Sequence, residues 1–207
     1  MSIVQSSIEI LLGSASPRRR ELLAGLDIPF TAISIDADES YPAELREGDI
    51  PRFISRAKAQ AYLPQLREGQ LLITADTIVW LDGQMLGKPH DAEEAVRMLR
   101  RLSGKTHQVY TAVTFAERKG SQPSDVSLQT IVDRTDVTFA ELSDEEIHYY
   151  VNQYQPLDKA GAYGVQEWIG YVACTAMNGS YFNVMGFPTH LVYPVLREKM
   201  KDERVKE

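Results

Sequence analysis

The segment GSASPRRR, from Gly13 to Arg20, has the composition of an anion-binding loop. An apolar run ends at Gly13, small residues follow, and Pro17 precedes three arginines. Because Ser16 can cap a helix and proline is favoured at a first helical position, we predict a strand, a tight loop and a helix start. Backbone amides at such a turn bind phosphate or carboxylate. The arginines lie at the positive end of the helix dipole, which favours an anionic ligand beside them.

The arginines of this loop are expected to have different roles. Arg18 and Arg19 would add charge-assisted hydrogen bonds to an anion. Arg19 stands three residues before Leu22 and four before Leu23, so it starts the inward-facing stripe of the helix. Arg20 lies off that stripe, and we expect it to face solvent. A solvated basic turn packed against nearby acids is the alternative interpretation.

Two acidic residues could bind a metal ion. Asp76 follows the apolar run 71–75, and we predict it at the carboxyl end of a central strand, where open α/β sheets bind ligands. A carboxylate there can hold Mg²⁺ or activate water, or it can simply cap a turn through Thr77. Glu39, in the acidic segment DADES, could contribute to the same metal site, or it could belong to an ordinary solvated cluster.

Three lysines could contact an anionic ligand, although an isolated lysine is more often solvated. Lys58 lies on a predicted helix, whereas Lys88 and Lys159 lie in the loops GKPH and DKAGAYG. Stiff or glycine-containing loops often carry ligand contacts. The histidines show no metal-ligand spacing, and we expect His107, which precedes a strand, to be structural.

The surrounding sequence predicts strands and helices that alternate along the chain. Strands are predicted at 8–12, from Thr31 in TAISIDADES, at the apolar runs 71–75 and 78–81 with a hairpin turn at Asp82-Gly83, at 107–117, at 126–142 and at 170–177. Helices are predicted after Ser16, at about 53–63, after Asp91, after Ser143 and from about Pro188. The two long middle strands are expected to be antiparallel. We therefore predict an α/β fold with a mixed, partly antiparallel sheet and flanking helices, in one domain of two lobes spanning 1–207.

Composition narrows the class of protein. The 207 residues include 22 basic and 29 acidic side chains, a net charge of −7, which disfavours a nucleic-acid polymer as partner. The one cysteine, Cys174, can form no internal disulfide, and we expect a buried, inert thiol. The N-terminus lacks the pattern of a signal peptide, and no apolar run approaches the roughly 18 residues of a membrane span. These features favour a cytoplasmic protein.

Taken together, several segments resemble the Maf family of nucleoside triphosphate pyrophosphatases. In order, they are SASPRRRELL (14–23), ADTIV (75–79), GKPHDAEEA (87–95), LSGKTHQVYTAV (102–113), DKAGAYGVQ (158–166) and NGSYFNVMGFP (178–188). The segments ADT and DKAGAYGVQ are similar to those of members that act on dTTP and UTP, whereas relatives that favour 7-methyl-GTP carry Ser-Asp-Gln in the first place. Glu167 stands where the family usually has glycine.

The resemblance implies a fold similar to the inosine triphosphatase group, with a cleft between two lobes. It also implies cleavage of a nucleoside triphosphate to the monophosphate and pyrophosphate with a divalent metal, Mg²⁺ or Mn²⁺, in a possible homodimer. Matched residue by residue, it assigns Asp76 as the catalytic acid and Gln166 as the base-recognising residue, with Glu39 as a further acidic ligand. It matches Ser14, Arg18 and Arg19 to the phosphate-binding loop, and it matches Lys58 and Lys88 to phosphate-facing lysines of the catalytic set. Ala15, Ser16 and Lys159 are further expected substrate contacts. Three other functions stay open: a non-catalytic nucleotide-binding regulator of cell division, a pyrophosphatase for modified or purine nucleotides, and a phosphatase that releases orthophosphate.

Overall fold

The structure is a computed structural model that describes residues 8–120, 122 and 125–202. The strands are β1 (Glu9–Gly13), β2 (Thr31–Ile33), β3 (Gln70–Leu81), β4 (Gln84–Leu86), β5 (Thr106–Arg118), β6 (Val126–Phe139) and β7 (Cys174–Asn178). The helices are α1 (Pro17–Ala24), α2 (Asp49–Tyr62), α3 (Ala92–Leu102), α4 (Asp144–Tyr154), α5 (Trp168–Ala173), α6 (Tyr181–Val184) and α7 (Thr189–Asp202), with a 3₁₀ turn at Ala160–Ala162.

The seven strands form one mixed sheet in the order β2-β1-β3-β5-β6-β7, with β4 paired to β3. Strand β1 runs parallel to both β2 and β3, whereas β4 and β7 run antiparallel to β3 and β6. Hydroxyl contacts join Thr106 to Thr138 and Thr114 to Thr130, so β5 and β6 are also antiparallel. The predicted α/β fold with a mixed, partly antiparallel sheet is confirmed.

The described chain divides into two compact units, and unit 1 comprises the residues up to 76, those at 111–133 and those from 186. Its core lies where α2 packs on the first strands of the sheet, because both present small and branched apolar side chains to each other. The buried members of this cluster are Leu11, Ala59, Leu66, Leu72 and Ala116. Unit 1 therefore supports the end of β1 and the loop that follows it.

Unit 2 comprises residues 77–110 and 134–185. In this unit α3 packs against α4 and against the 160–162 turn. One face of α3 is apolar and buried, and its members are Ala95, Val96, Leu99 and Leu102. Both predicted caps are present: Asp91 accepts the amide of Glu94 at the start of α3, and Ser143 forms a reciprocal capping box with Glu146 at the start of α4.

The prediction of a strand at 170–177 is wrong for the first half of the segment. Residues up to Ala173 continue α5, and β7 begins only at Cys174. Gly170 permits this turn, because a Cβ there would overlap the carbonyl oxygen of Val165. Strand β7 has a single neighbour at the sheet edge, so Cys174 is half-buried rather than buried as expected.

Other predicted elements differ in their bounds. The segment from Thr31 forms a strand of only three residues, and α2 begins at Asp49 rather than near Phe53. The short helix α6 was not predicted, because four residues are too few to show a periodic pattern. Pro194 lies inside α7, where it lacks the N–H that would otherwise bond one turn back.

The N-terminal segment 1–7, on which the expectation of no signal peptide depends, lies outside the described residues. So does the end of the chain, 203–207. In the part of the chain that is described, no helix is long and apolar enough to cross a membrane.

Candidate active site

The predicted strand, loop and helix at 13–20 are confirmed. Strand β1 ends at Gly13, the side chain of Ser16 accepts the amide of Arg19, and Pro17 occupies the first turn of α1. Gly13 packs closely against its neighbours, because a Cβ there would overlap Ile35 Cδ1 and lie 3.2 Å from Thr74 Cγ2. The chain therefore leaves the sheet with its backbone close to β3.

The loop amides are more occupied than the sequence suggested. The N–H of Ser14 donates to the carbonyl of Leu12 at 3.0 Å, and the N–H of Ser16 donates to Ser14 Oγ at 3.2 Å. The amides of Ser14 and Ser16 thus already have acceptors, because the tight turn satisfies these two donors itself. Ala15, between them, is exposed.

Arg19 is held in a fixed orientation. Its Nε donates to the carbonyl of Gly186 at 2.9 Å, and Nη1 donates to Ser14 Oγ at 3.4 Å. Gly186 has a φ of 102°, which favours glycine at that position. Burial lowers the pKa of Arg19, yet a guanidinium stays charged at any physiological pH. A pre-oriented cation therefore stands at the loop.

Arg19 and Arg20 differ as the helical spacing predicted, since Arg19 is half-buried and Arg20 is exposed. The structure adds a contact that periodicity could not reveal. The Arg20 guanidinium donates to the carbonyl of Ser14 at 3.3 and 3.4 Å. Arg20 thereby braces the loop backbone from its solvent side.

Asp76, Lys58 and Glu39 come together in unit 1. The Lys58 ammonium lies 2.8 Å from Asp76 Oδ1 and 2.9 Å from Glu39 Oε1. Helix α2 supplies Lys58, and its side chain is only 14% exposed, as against 12% for Asp76 and 56% for Glu39. One buried cation thus bridges a buried carboxylate and a carboxylate that reaches solvent.

The charge state of Asp76 is set by opposing effects. Burial raises the pKa of this carboxyl, and the positive charges of Lys58 and Arg19 oppose that rise without cancelling it. The nearby negative charge of Glu39 raises the pKa further. A carboxylate with a raised pKa is a better proton acceptor than an exposed one, so Asp76 is suited to general-base chemistry.

The predicted position of Asp76 at a strand end is wrong, because β3 continues through it to Leu81. The partner of β3 changes around this residue, however. Pairing with β1 ends at Thr74, and pairing with β4 begins at Val79. Asp76 therefore lies just beyond the end of β1, beside the loop that follows it, which explains how a mid-strand side chain can reach a ligand.

The donor set suits a metal ion that arrives with a phosphate ligand. Among the described residues, no three His, Cys, Asp or Glu side chains form a group that could hold a metal alone. The carboxylates of Asp76 and Glu39 lie less than about 6 Å apart, since both contact Lys58 Nζ, and Mg²⁺ is commonly bound by one or two carboxylates together with substrate phosphates. The two residues fit such a site.

The remaining predicted residues lie in unit 2, where two loops meet. Lys88 is exposed, and the loop that carries it is tied to the 160–162 turn by a hydrogen bond from the N–H of Gly161 to the carbonyl of Gly87, 3.0 Å long. Gly161 has a φ of 68°, and a Cβ there would lie 2.9 Å from Val79 Cγ2. Only glycine fits this junction without strain.

Lys159 is not a solvated cation. It is 8% exposed, and its ammonium lies 2.8 Å from Asp158 Oδ1 and 3.0 Å from Glu167 Oε1. The sequence predicts Lys159 as a substrate contact, and in the structure its ammonium pairs with two carboxylates of its own loop. The side-chain amide of Gln166, by contrast, is half-buried and has no hydrogen-bond partner within the described residues.

His107 has the surroundings of a structural residue. It is fully buried, its Nε2 lies 2.7 Å from Tyr163 Oη, and its ring packs edge-on against Phe139. Burial lowers the pKa of His107 to about 4, so the ring is neutral near pH 7. It lies in unit 2, whereas Asp76 closes the first segment of unit 1.

Comparison with known proteins identifies one family and relatives that share one name. The family described as Maf-like protein matches residues 9–199. Proteins named dTTP/UTP pyrophosphatase are 51% identical over 191 residues in Bacteroides thetaiotaomicron (92% of this chain, 95% of the relative) and 51% over 193 residues in Porphyromonas gingivalis (92% and 94%). The relative of that name from Flavobacterium johnsoniae is 45% identical over 188 residues (91% and 93%).

Among solved structures, the Staphylococcus aureus Ham1 protein aligns with 64% of this chain and 72% of its own, at 12% identity and a TM-score of 0.44. That likeness is too weak to bear on function. The match to the family and the identity to its members extend over nearly the whole chain. This chain belongs to the Maf family.

Proposed function

We propose that this protein hydrolyses dTTP and UTP to the nucleoside monophosphate and pyrophosphate. The observation that carries the proposal is the buried Asp76 carboxylate, paired with Lys58 beside the oriented Arg19 guanidinium. The names of the related proteins support the choice of substrate. We assign the whole of 1–207 to one catalytic domain.

The triphosphate needs cations that are already in position. It carries about four negative charges near neutral pH, and removing them from water is costly without paired donors. We assign phosphate contacts to Arg18, Arg19, Lys58 and Lys88, with the exposed Ala15 backbone allowing close approach. Ser14 and Ser16 serve indirectly, because their hydroxyls contact Arg19 Nη1 and the Arg19 amide.

Asp76 is assigned as the group that orients and deprotonates the attacking water. The water oxygen forms a bond to the α-phosphorus while the bond from that phosphorus to the bridging oxygen breaks, and pyrophosphate leaves with the bridging oxygen. The proton of the water passes to the Asp76 carboxylate. The raised pKa of Asp76 makes this transfer easier than it would be for an exposed aspartate.

Asp76 and Glu39 would hold a divalent metal ion, Mg²⁺ or Mn²⁺, that neutralises phosphate charge when bound. Lys58 keeps the two carboxylates close together, and it would have to share them with the metal. Chelation with EDTA is expected to abolish turnover, and added Mg²⁺ or Mn²⁺ is expected to restore it. Turnover that persists in excess EDTA would exclude the metal from the proposal.

Gln166 is assigned to base recognition. An amide offers a donor and an acceptor together, which matches the O4 and N3–H of uracil and thymine. The half-buried Gln166 amide has both groups available, since no described residue engages them. The unmet hydrogen bonds of a mismatched base would penalise cytosine and the purines.

The test is a panel of nucleotides, each at equal concentration with Mg²⁺ or Mn²⁺: UTP, dTTP, CTP, ATP and 7-methyl-GTP. We expect kcat/KM to be highest for UTP and dTTP. Faster turnover of a purine or a modified nucleotide would replace the substrate assignment, and tight binding without turnover would favour a regulator. We further propose that the protein is cytoplasmic, in keeping with its single cysteine, and that it forms a homodimer.

A further inference from the structure

Glu167 joins three parts of unit 2 through its two carboxylate oxygens. Oε1 lies 3.0 Å from the Lys159 ammonium, and Oε2 accepts a hydrogen bond from the hydroxyl of Tyr150 on α4. The same Tyr150 hydroxyl accepts the N–H of Gly164 at 3.0 Å. One side chain thus connects α4, the start of the 158–167 loop and the backbone in the middle of that loop.

These contacts are shielded from solvent. Tyr150 is fully buried, and the Glu167 side chain is 19% exposed. The carboxylate packs directly over Gly164, because a Cβ at that position would lie 2.9 Å from Glu167 Cδ. Burial and the hydrogen bond to Glu167 raise the pKa of Tyr150, so its hydroxyl stays protonated and able to donate. The absence of a side chain at Gly164 is what lets the network close.

The network fixes the turn that carries Gln166. The N–H of Glu167 donates to the carbonyl of Gly164 at 3.0 Å, which closes a four-residue turn with Gln166 in its third position. Gly164 is also held at its own N–H by Tyr150, and Tyr150 is held by the Glu167 carboxylate. Both ends of the turn therefore depend on Glu167.

We propose that Glu167 is a positioning residue that holds the Gln166 amide in the orientation needed to recognise the uracil or thymine edge. The inference rests on the proposed function, since it requires Gln166 to contact the base. Glu167 touches neither phosphate nor water in this account. Its loss should therefore weaken the recognition of uracil and thymine and leave the chemical step intact.

The principal test is Glu167→Ala, with KM and kcat measured for UTP, dTTP, CTP and ATP. We expect KM for UTP and dTTP to rise about tenfold, the effect of losing one well-made polar contact to the base, while kcat stays within about threefold. KM for CTP and ATP should change little. Glu145→Ala removes an exposed acidic side chain from α4 and is the matched control, expected to leave every constant unchanged.

Two further variants separate positioning from simple stability. Gly164→Ala introduces a methyl group against the end of the Glu167 side chain and should reproduce the KM effect while Glu167 itself is present. Glu167→Gln keeps an acceptor for Tyr150 and should recover part of the lost selectivity. In a Gln166→Ala background, Glu167→Ala should cause no additional loss of selectivity, because the residue through which it acts is gone.

The outcomes are distinct. If the wild-type protein turns over neither UTP nor dTTP, the proposed function fails and this inference fails with it. If the wild type is active and Glu167→Ala raises KM equally for all four nucleotides, or lowers only the Tm, the positioning role alone is overturned. An additional loss of selectivity in the Gln166→Ala background would also overturn it.

Discussion

Replacing Asp76 by asparagine should separate catalysis from stability. The substitution keeps the shape of the side chain and an oxygen that can accept from Lys58, but it removes the negative charge and the proton-accepting group. A positioned general base contributes about 10²–10⁴-fold to turnover. We therefore expect Asp76→Asn to lower kcat by at least about a hundredfold, while the nucleotide still binds through the remaining cations.

The expected effect on stability follows from the surroundings of Asp76. At 2.8 Å and an effective dielectric constant of about 20, its attraction to Lys58 is about 6 kcal/mol. Removing two charged groups from water costs several kcal/mol for each. The pKa of Asp76 is raised, so folding favours the neutral carboxyl over the carboxylate. The neutral amide of asparagine should therefore leave the Tm unchanged or raise it. Because the stability due to a carboxyl with a raised pKa is lost as pH rises through that pKa, any gain should be larger at pH 8 than at pH 5.

The assay is steady-state turnover of UTP with Mg²⁺, together with the Tm of both proteins at pH 5 and pH 8. Asp82→Asn is the matched control, because Asp82 forms an exposed ion pair of 2.7 Å with Lys105 and lies at a φ of 51° that asparagine tolerates. The control should retain full turnover. A kcat for Asp76→Asn within threefold of the wild type would refute the catalytic assignment, and a large fall in Tm with it would make Asp76 structural.

Three other substitutions test separate parts of the site. Gln166→Ala should raise KM for UTP and dTTP more than for CTP or ATP, and equal losses for all bases in the same assay would remove Gln166 from recognition. Lys58→Met leaves the buried Asp76 carboxylate without its cation, so the free energy of unfolding at pH 7, measured by denaturant titration, should fall by about 3–5 kcal/mol. The loss should disappear in acid, where the carboxyl is protonated and neutral. A loss that persisted in acid would point to lost packing instead. His107→Gln removes a buried ring whose pKa is about 4 in the folded protein, whereas an unfolded histidine binds a proton below about pH 6.5. The free energy of unfolding of the wild type should therefore fall by up to about 3 kcal/mol between pH 6.5 and pH 4, and that of the variant should not show this fall. Parallel pH profiles of Tm for the two proteins would contradict this last expectation.

Much of the fold could be predicted because local signals were strong. The caps at Ser16, Asp91 and Ser143 begin the helices that they predict, and the Asp82-Gly83 pair forms the expected hairpin turn with positive φ at both residues. The elements that were missed have weak local signals. In the segment 170–177, β-branched and aromatic residues favour a strand, but the backbone packing of Gly170 against Val165 keeps the first half helical.

In the candidate site, too, features with local sequence signals could be predicted and long-range contacts could not. Residue types and helical spacing pointed to Arg19 and to its difference from Arg20. Spacing along the chain could not show that Glu39 and Asp76 share the ammonium of Lys58, because those contacts join residues far apart in sequence. Lys159 was predicted as a substrate contact because its loop contains glycine, but no pattern in the sequence pairs its ammonium with Glu167.

The most direct test of the central claim is the identity of the products formed from UTP in water enriched in ¹⁸O. Separation by anion exchange and mass spectrometry of each product would give both the stoichiometry and the site of attack. We expect one pyrophosphate for each UMP, with the ¹⁸O in UMP, because water attacks the α-phosphorus. Formation of UDP and orthophosphate, or ¹⁸O in the pyrophosphate, would contradict it.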